Sequence, residues 1–144
     1  MIVTHAKKGD EIFLYRLKND VQVRKNSLIT KKISSREHHK WFIKRLKIKP
    51  KILIFSKNKI QFGQVRIDKN LDGFYEIDYS IIKSFRGRGY STKMLKKALK
   101  IYSRKKIIAK VKYNNKISKK VFAKLKFRIL KKEKKYIIFS KIPK

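Results

Sequence analysis

Residues 76–91 read Glu76-Ile77-Asp78-Tyr79-Ser80-Ile81-Ile82-Lys83-Ser84-Phe85-Arg86-Gly87-Arg88-Gly89-Tyr90-Ser91. Residues 74–82 have the composition of a strand, and beyond the glycines Met94, Leu95, Ala98, Leu99 and Tyr102 are spaced for one buried helix face. Strand, glycine loop and helix form one unit. Gly87 and Gly89 free the backbone to approach a ligand, and the helix that follows aims unpaired N–H groups and its positive dipole end at the same place. Arg86 and Arg88 add charge. The pattern suits an anion site, although short Arg-Gly-x-Gly loops also serve as ordinary turns. The Gly-Lys-Ser/Thr ending of a Walker loop and the longer dinucleotide fingerprint are both missing, which argues against a nucleoside triphosphate.

Working outward, residues 2–5 suit a first strand, and Gly9-Asp10 cap a helix with Ile12, Phe13 and Leu17 on its apolar face. Ser34 and Glu37 fit a capping box for a second helix, with Trp41, Phe42 and Leu46 on one face and an end before Pro50. Strands at 51–56 and 59–68 are joined as a hairpin at Lys57-Asn58, and residues 70–73 form a turn into the central strand. A strand at 106–113 precedes a helix with Ile117, Val121, Phe122 and Leu125 facing inward, and an antiparallel pair at 127–130 and 136–140 follows. The order β, α, α, β, β, β, α, β, α, β, β predicts a mixed α/β fold with helices packed on the sheet.

The 144 residues suit one domain able to bury roughly 70% of its unfolded surface. With 42% apolar and 12% aromatic residues, the chain has material for a core. No apolar run reaches the roughly 18 to 20 residues of a membrane helix, and the first residues lack signal-peptide order, so a cytoplasmic protein is expected. Zero cysteines and three histidines argue against disulfides, thiolate chemistry and a metal site. The net charge of +34 attracts polyanions. Yet 34 of 43 cations are lysine, spread over most of the elements, and isoleucine outnumbers leucine 21 to 10, as AT-rich codon usage produces. Dedicated nucleic-acid surfaces cluster their charge and favour arginine, so no specific nucleic acid is expected.

Residues 76–91 resemble the acetyl-CoA signature of the GCN5-related N-acetyltransferases, Arg/Gln-x-x-Gly-x-Gly/Ala, with Ser91 in place of the last small residue. Residues 115–127, Asn115-Lys116-Ile117-Ser118-Lys119-Lys120-Val121-Phe122-Ala123-Lys124-Leu125-Lys126-Phe127, are similar to the family's second signature, Asn-x-x-Ser-x-x-x-Tyr/Phe-x-x-x-Gly-Phe. The resemblance covers almost the whole chain and implies a single acetyltransferase domain over 1–144. Its parts are an acceptor side (1–50), a central sheet with the acetyl-CoA loop (51–113) and a cofactor side (114–144). The fold it implies is a mostly antiparallel sheet of about seven strands, splayed in the middle and flanked by about four helices.

Acetyl-CoA is then the co-substrate, with no metal. Its pyrophosphate is expected on the backbone N–H groups of Arg86, Gly87, Arg88, Gly89, Tyr90 and Ser91, and its pantetheine arm beside Ile81 and Ile82. Asn115, Ser118 and Phe122 match further cofactor positions. An amine attacks the thioester directly, which needs an oriented thioester and a path for the proton. Glu76 falls at the family's general-base position and shares a strand face with Asp78 and Ser80; for both carboxylates the alternative is a surface ion pair. Phe122 stands where a tyrosine often protonates the thiolate and cannot donate, which leaves Tyr113 as a substitute or an unassisted departure. Lys126 replaces the usual glycine.

Residues 17–24 and 37–42 look like segments of nucleotide-sugar N-acetyltransferases that act on UDP-linked 4-amino-4,6-dideoxy sugars of the pseudaminic acid type. The implied partner is a small-molecule amine, most simply a nucleotide-linked amino sugar, with Arg24 meeting phosphate and Trp41 stacking on base or sugar; burial on the helix face is the other reading of Trp41. No membrane partner is expected, and the chain is read as monomer or homodimer. A protein or small-amine acetyltransferase, a basic nucleic-acid-binding module without catalysis, and a degenerate, non-catalytic acetyltransferase fold are the competing readings.

Overall fold

The computed structural model describes residues 1–70 and 72–143. Seven strands are present: β1 (Ile2–His5), β2 (Leu53–Lys57), β3 (Ile60–Lys69), β4 (Tyr75–Ile81), β5 (Ile107–Lys112), β6 (Arg128–Lys132) and β7 (Tyr136–Lys141). The helices are α1 (Glu11–Asn19), α2 (Val21–Asn26), α3 (Ser35–Leu46), α4 (Tyr90–Ile101) and α5 (Lys116–Lys124). All strands join one sheet in the order β1-β2-β3-β4-β5-β7-β6. Every pairing is antiparallel except β4 with β5.

That parallel pair positions the site. β3 and β4 stay in register from Lys69–Tyr75 to Gly63–Ile81, and β5 and β7 pair over the whole of β5. Between β4 and β5 only Tyr75–Ile107 and Glu76–Ile108 are paired. Past Glu76 the pairing stops and the two half-sheets part, the splay that the resemblance implies.

Alternation along the strands divides the core in two. Val65, Ile67, Ile77, Ile81, Ala109 and Val111 pack with Met94, Leu95 and Ala98 of α4 and Phe122 of α5. On the other face Ala6, Ile52 and Ile54 pack with Leu14 of α1 and Phe42 of α3. Burial of these side chains, about 1.5 to 3 kcal/mol for each large one, fixes which helix covers which face.

Several expectations are corrected here. Among the described residues five helices form where about four were expected; the additional one, α2, buries no residue and therefore has no apolar stripe to read. Ile12 is 64% exposed and Ile117 70% exposed; Leu14 and Leu17 hold α1 to the core, and Phe122 holds α5. The buried stripe of α3 is His38, Phe42 and Arg45, with Trp41 and Leu46 only half-buried. Ser34 caps α3 as expected, accepting from the Glu37 N–H at 3.1 Å. Asp10 precedes α1 but makes no side-chain cap; its carboxylate accepts instead from Lys7 N at 2.9 Å and Gln61 Nε2 at 2.7 Å. The hairpin turn lies at Asn58-Lys59, one residue later than read, both with positive φ as a two-residue hairpin requires. Of the turn at 70–73, Leu71 lies outside the described residues.

Candidate active site

The backbone of β4 offers the gap a free edge. Ile82 N donates to Phe62 O at 2.8 Å, so by antiparallel alternation Ser80, Asp78 and Glu76 bond β3 while Ile77, Tyr79 and Ile81 turn toward β5. Tyr75 N, in the same phase, donates to Lys106 O at 2.8 Å where the strands still meet. Past the fork β5 no longer supplies that partner. Ile82 is corrected: its N–H belongs to β3 and its carbonyl accepts from Phe85 N, so Tyr79 and Ile81 are the residues whose backbone faces the opening.

Beyond β4 the chain makes a 3-10 turn (Lys83–Phe85) and enters α4 through Gly87 and Gly89, with φ of 72° and 79°. Left-handed backbone suits glycine, and open space lies where a Cβ would project from either residue. Gly89 is the N-cap of α4, whose first turn contains no acidic residue. Around Tyr90 stand Lys57, whose Nζ lies 2.8 Å from the Tyr90 hydroxyl, and Arg88 and Lys93, each over the ring at 5.4 and 5.3 Å. Cations at the positive end of a helix dipole repel it and one another, and an anion there relieves both.

Arg86 is engaged differently from the expectation. Its Nε donates to Ile81 O at 3.0 Å and its Nη2 to Asp20 Oδ1 at 2.7 Å, so it ties the loop to the helices of the amino-terminal region. Asp20 also caps α2, accepting from Gln22 N and Val23 N. Burial pushes its carboxyl up, but the Val23 and Arg86 hydrogen bonds outweigh that and hold it below the ordinary aspartate value. A cavity of about 500 Å³ beside this bridge is lined by Gly9, Phe13, Arg16, Leu17, Asp20, Gln61 and Ile82, among others. A larger groove, about 1040 Å³, lies by the last turns of α4 and α5, at the other end from the loop.

On the α3 face of the sheet the two carboxylates share a polar row. Glu76, where the fork closes, is 3.1 Å from Lys110 Nζ. Asp78, the first acidic residue past the fork, accepts from Gln64 Nε2 at 2.9 Å and lies 3.8 Å from Arg66. Arg66 also pairs with Asp68 at 2.8 Å and lies over the Trp41 ring at 5.3 Å. Trp41, Arg66 and Asp78 are thus brought together. Arg24 is not part of that group: its Nε and Nη1 donate to the carbonyls of Asn19 and Thr30, stapling the loop after α2.

On the opposite face Asn115 caps α5 through Ser118 N at 3.2 Å. Ser118 Oγ lies 2.6 Å from the Tyr79 hydroxyl, and the Tyr79 ring meets Phe122 edge-on at 5.9 Å. Phe122 itself is buried against Phe127 and Phe139. Tyr113 is corrected as a donor candidate, since its hydroxyl is spent on Glu133 O. Tyr79 was not singled out from the sequence, though the period of two that groups Glu76, Asp78 and Ser80 places it with Ile77 and Ile81 on the opposite face. Burial pushes its hydroxyl above the ordinary tyrosine value, against hydrogen bonds from Ser118 and Ser91. Lys126 has φ of 68°, the left-handed conformation in which the family signature has glycine. Among the described residues there is no group of three or more His, Asp or Glu arranged to hold a metal, and no helix is long and apolar enough to cross a membrane.

A forked sheet with a cation-ringed glycine loop at the head of α4 is what the geometry defines. Residues 1–128 match the family model described as an acetyltransferase (GNAT) domain, so the chain belongs to that family. It is an acetyl-CoA-dependent N-acetyltransferase. Among solved structures, spermidine N-acetyltransferase from Vibrio cholerae, in complex with CoA and spermine, superposes with a TM-score of 0.83 at 15% identity, covering 96% of this chain and 92% of that one. Ribosomal-protein-alanine N-acetyltransferase from Brucella melitensis gives 0.81 at 16%, covering 99% of each. The aminoglycoside acetyltransferase AAC(6')-Ib, in complex with coenzyme A, gives 0.80 at 13%, covering 97% and 93%. No curated protein sequence matches the chain.

Proposed function

We propose that the enzyme acetylates the primary amine of a nucleotide-linked amino sugar, with acetyl-CoA held along the free edge of β4 and on the loop 86–91. The free β4 edge ending at a cation-ringed helix N-terminus carries the cofactor half: one end suits an amide-bearing arm, the other a pyrophosphate. Residues 86–91, Ile81, Asn115 and Ser118 hold the co-substrate, and Phe122 backs it. Acetyl-CoA supplies a thioester carbonyl open to attack by an amine.

The chain's own groups move the protons. Glu76 or Asp78 accepts the proton that the amine loses, directly or through water, as the new C–N bond forms. The Tyr79 hydroxyl donates to the sulfur as the C–S bond breaks and is reprotonated through Ser118. Support for the acceptor comes from the segments at 17–24 and 37–42 and from Trp41 and Arg66, which offer an aromatic surface and a guanidinium beside Asp78.

A small cationic amine, the class to which the Vibrio cholerae spermidine N-acetyltransferase of the same fold points, is the second acceptor class. Thiol release with UDP-4-amino-4,6-dideoxy sugar, spermidine, an aminoglycoside and an amino-terminal peptide at equal concentration separates these. The nucleotide sugar is expected to give the highest kcat/KM, by about tenfold or more, a difference of roughly 1.4 kcal/mol in transition-state binding. A spermidine preference overturns the amino-sugar reading and leaves acetyl transfer standing. Glu76→Gln and Asp78→Asn then show which carboxylate is the base, through the larger loss of kcat/KM at saturating acetyl-CoA.

A further inference from the structure

Helix α2 has no apolar anchor, yet it is held at both ends. Asp20, its N-cap, is bonded to Arg86 at 2.7 Å, and the carbonyl of Lys25 accepts from Lys112 Nζ at 2.9 Å. Arg86 lies just past β4, and Lys112 is the last residue of β5. The two fastenings therefore reach opposite sides of the gap. Five residue steps lead from one to the other, about 7.5 Å of helical rise, close to the roughly 9 to 10 Å between strands that admit one further strand between them.

We infer that α2 is a polar strap across the mouth of the gap and that Asp20 is a positioning residue, acting through Arg86 to couple the strap to the cofactor loop. This inference rests on the proposed placement of acetyl-CoA along β4. Arg86 Nε occupies the carbonyl of Ile81, one of the groups that β4 turns toward the gap. A donor arriving along that edge competes with Arg86 for Ile81 O, and an anion on the loop pulls on the same guanidinium. Either event changes what Arg86 gives Asp20, and Asp20 caps the helix. Binding at the loop and the setting of the acceptor-side wall are then linked, and the linkage is reciprocal.

Hydrogen exchange of the full chain with CoA as the probe tests this, alongside calorimetric binding in the same samples. In the unmodified chain, saturating CoA is expected to change exchange at residues 21–26 by about fivefold or more. Asp20→Asn retains a good N-cap but loses the charge; it should still bind CoA, while the CoA-dependent change at 21–26 falls below about twofold. Lys112→Gln removes the other fastening without touching Arg86 or the cap, and should speed exchange at 21–26 about fivefold before CoA is added. CoA binding with unaltered exchange at 21–26 overturns the coupling alone, as does an Asp20→Asn chain that responds like the parent. Unaltered exchange in Lys112→Gln overturns the strap. Failure of the unmodified chain to bind CoA overturns the loop assignment and the coupling with it.

Discussion

The hydroxyl of Tyr79 lies 2.6 Å from Ser118 Oγ, joining β4 to the first turn of α5. Phe122, at the second-signature position where a donor is usual, packs against the same ring and has no proton to give. Tyr79→Phe is expected to lower kcat about 100-fold with KM for acetyl-CoA changed less than about twofold. Its cost to stability is about 1 kcal/mol for the lost hydrogen bond. Steady-state kinetics with a thermal melt check both, and an unchanged kcat removes Tyr79 from the mechanism.

Gly89 and Gly9 both have open space where a Cβ would stand, but Gly89 has φ of +79°. Gly89→Ala is therefore expected to cost about 1 to 2 kcal/mol through left-handed strain and to weaken acetyl-CoA binding. Gly9→Ala should be neutral or stabilising by under about 1 kcal/mol. Denaturant unfolding of the pair measures the difference, and equal effects would show that backbone conformation is not the cause.

Lys126 supplies the converse case. Phe127 N donates to Phe122 O and Lys126 N to Ala123 O, a Schellman close to α5 in which Lys126 stands at the left-handed position. Lys126→Gly should stabilise the fold by about 1 kcal/mol and leave kcat unaltered. A melting temperature at or below the parent's contradicts this.

His38 is 2% exposed among Tyr15, Trp41 and Phe42, and its Nδ1 has no partner. Burial pushes its pKa below 6.5, Glu11 opposes the shift, and Lys18 and His39 reinforce it. Below pH 6.5 the unfolded chain binds the proton first, so the stability held above that pH is lost as pH falls toward the lowered folded value. His38→Phe should flatten unfolding free energy against pH in that window. A parent chain equally stable on both sides of pH 6.5 would contradict the assignment.

What the sequence disclosed depended on how each residue is held. Gly87 and Gly89 announced the loop because left-handed backbone selects glycine, and Met94, Leu95 and Ala98 announced α4 because burial leaves a periodic stripe. Ile12 and Ile117 misled for the complementary reason: an apolar residue beside a stripe satisfies the period without being buried. Helix α2 was silent because its attachments are a carboxylate, a backbone carbonyl and two long cations, none of which leaves a period. The commitment of Arg86 to Asp20, 66 residues earlier, and the meeting of Tyr79 with Ser118 arise only when separate elements are folded together. That Glu76 and Asp78 share a face was legible through alternation, and the resemblance made Glu76 a base candidate; that the fork closes between them was not legible.

The sheet order has a consequence for how the enzyme is made. β7 lies between β5 and β6, so two strands synthesised earlier both wait for one synthesised later. Until residues 136–141 emerge, β5 has no antiparallel neighbour and Phe122 lacks Phe139 to lean on. The far wall of the gap is then tied to β4 only where Tyr75 meets Ile107 and Glu76 meets Ile108. A chain whose β7 is not yet in place can display its glycine loop and its carboxylates, but the wall of the gap that faces them lacks the strand that completes it.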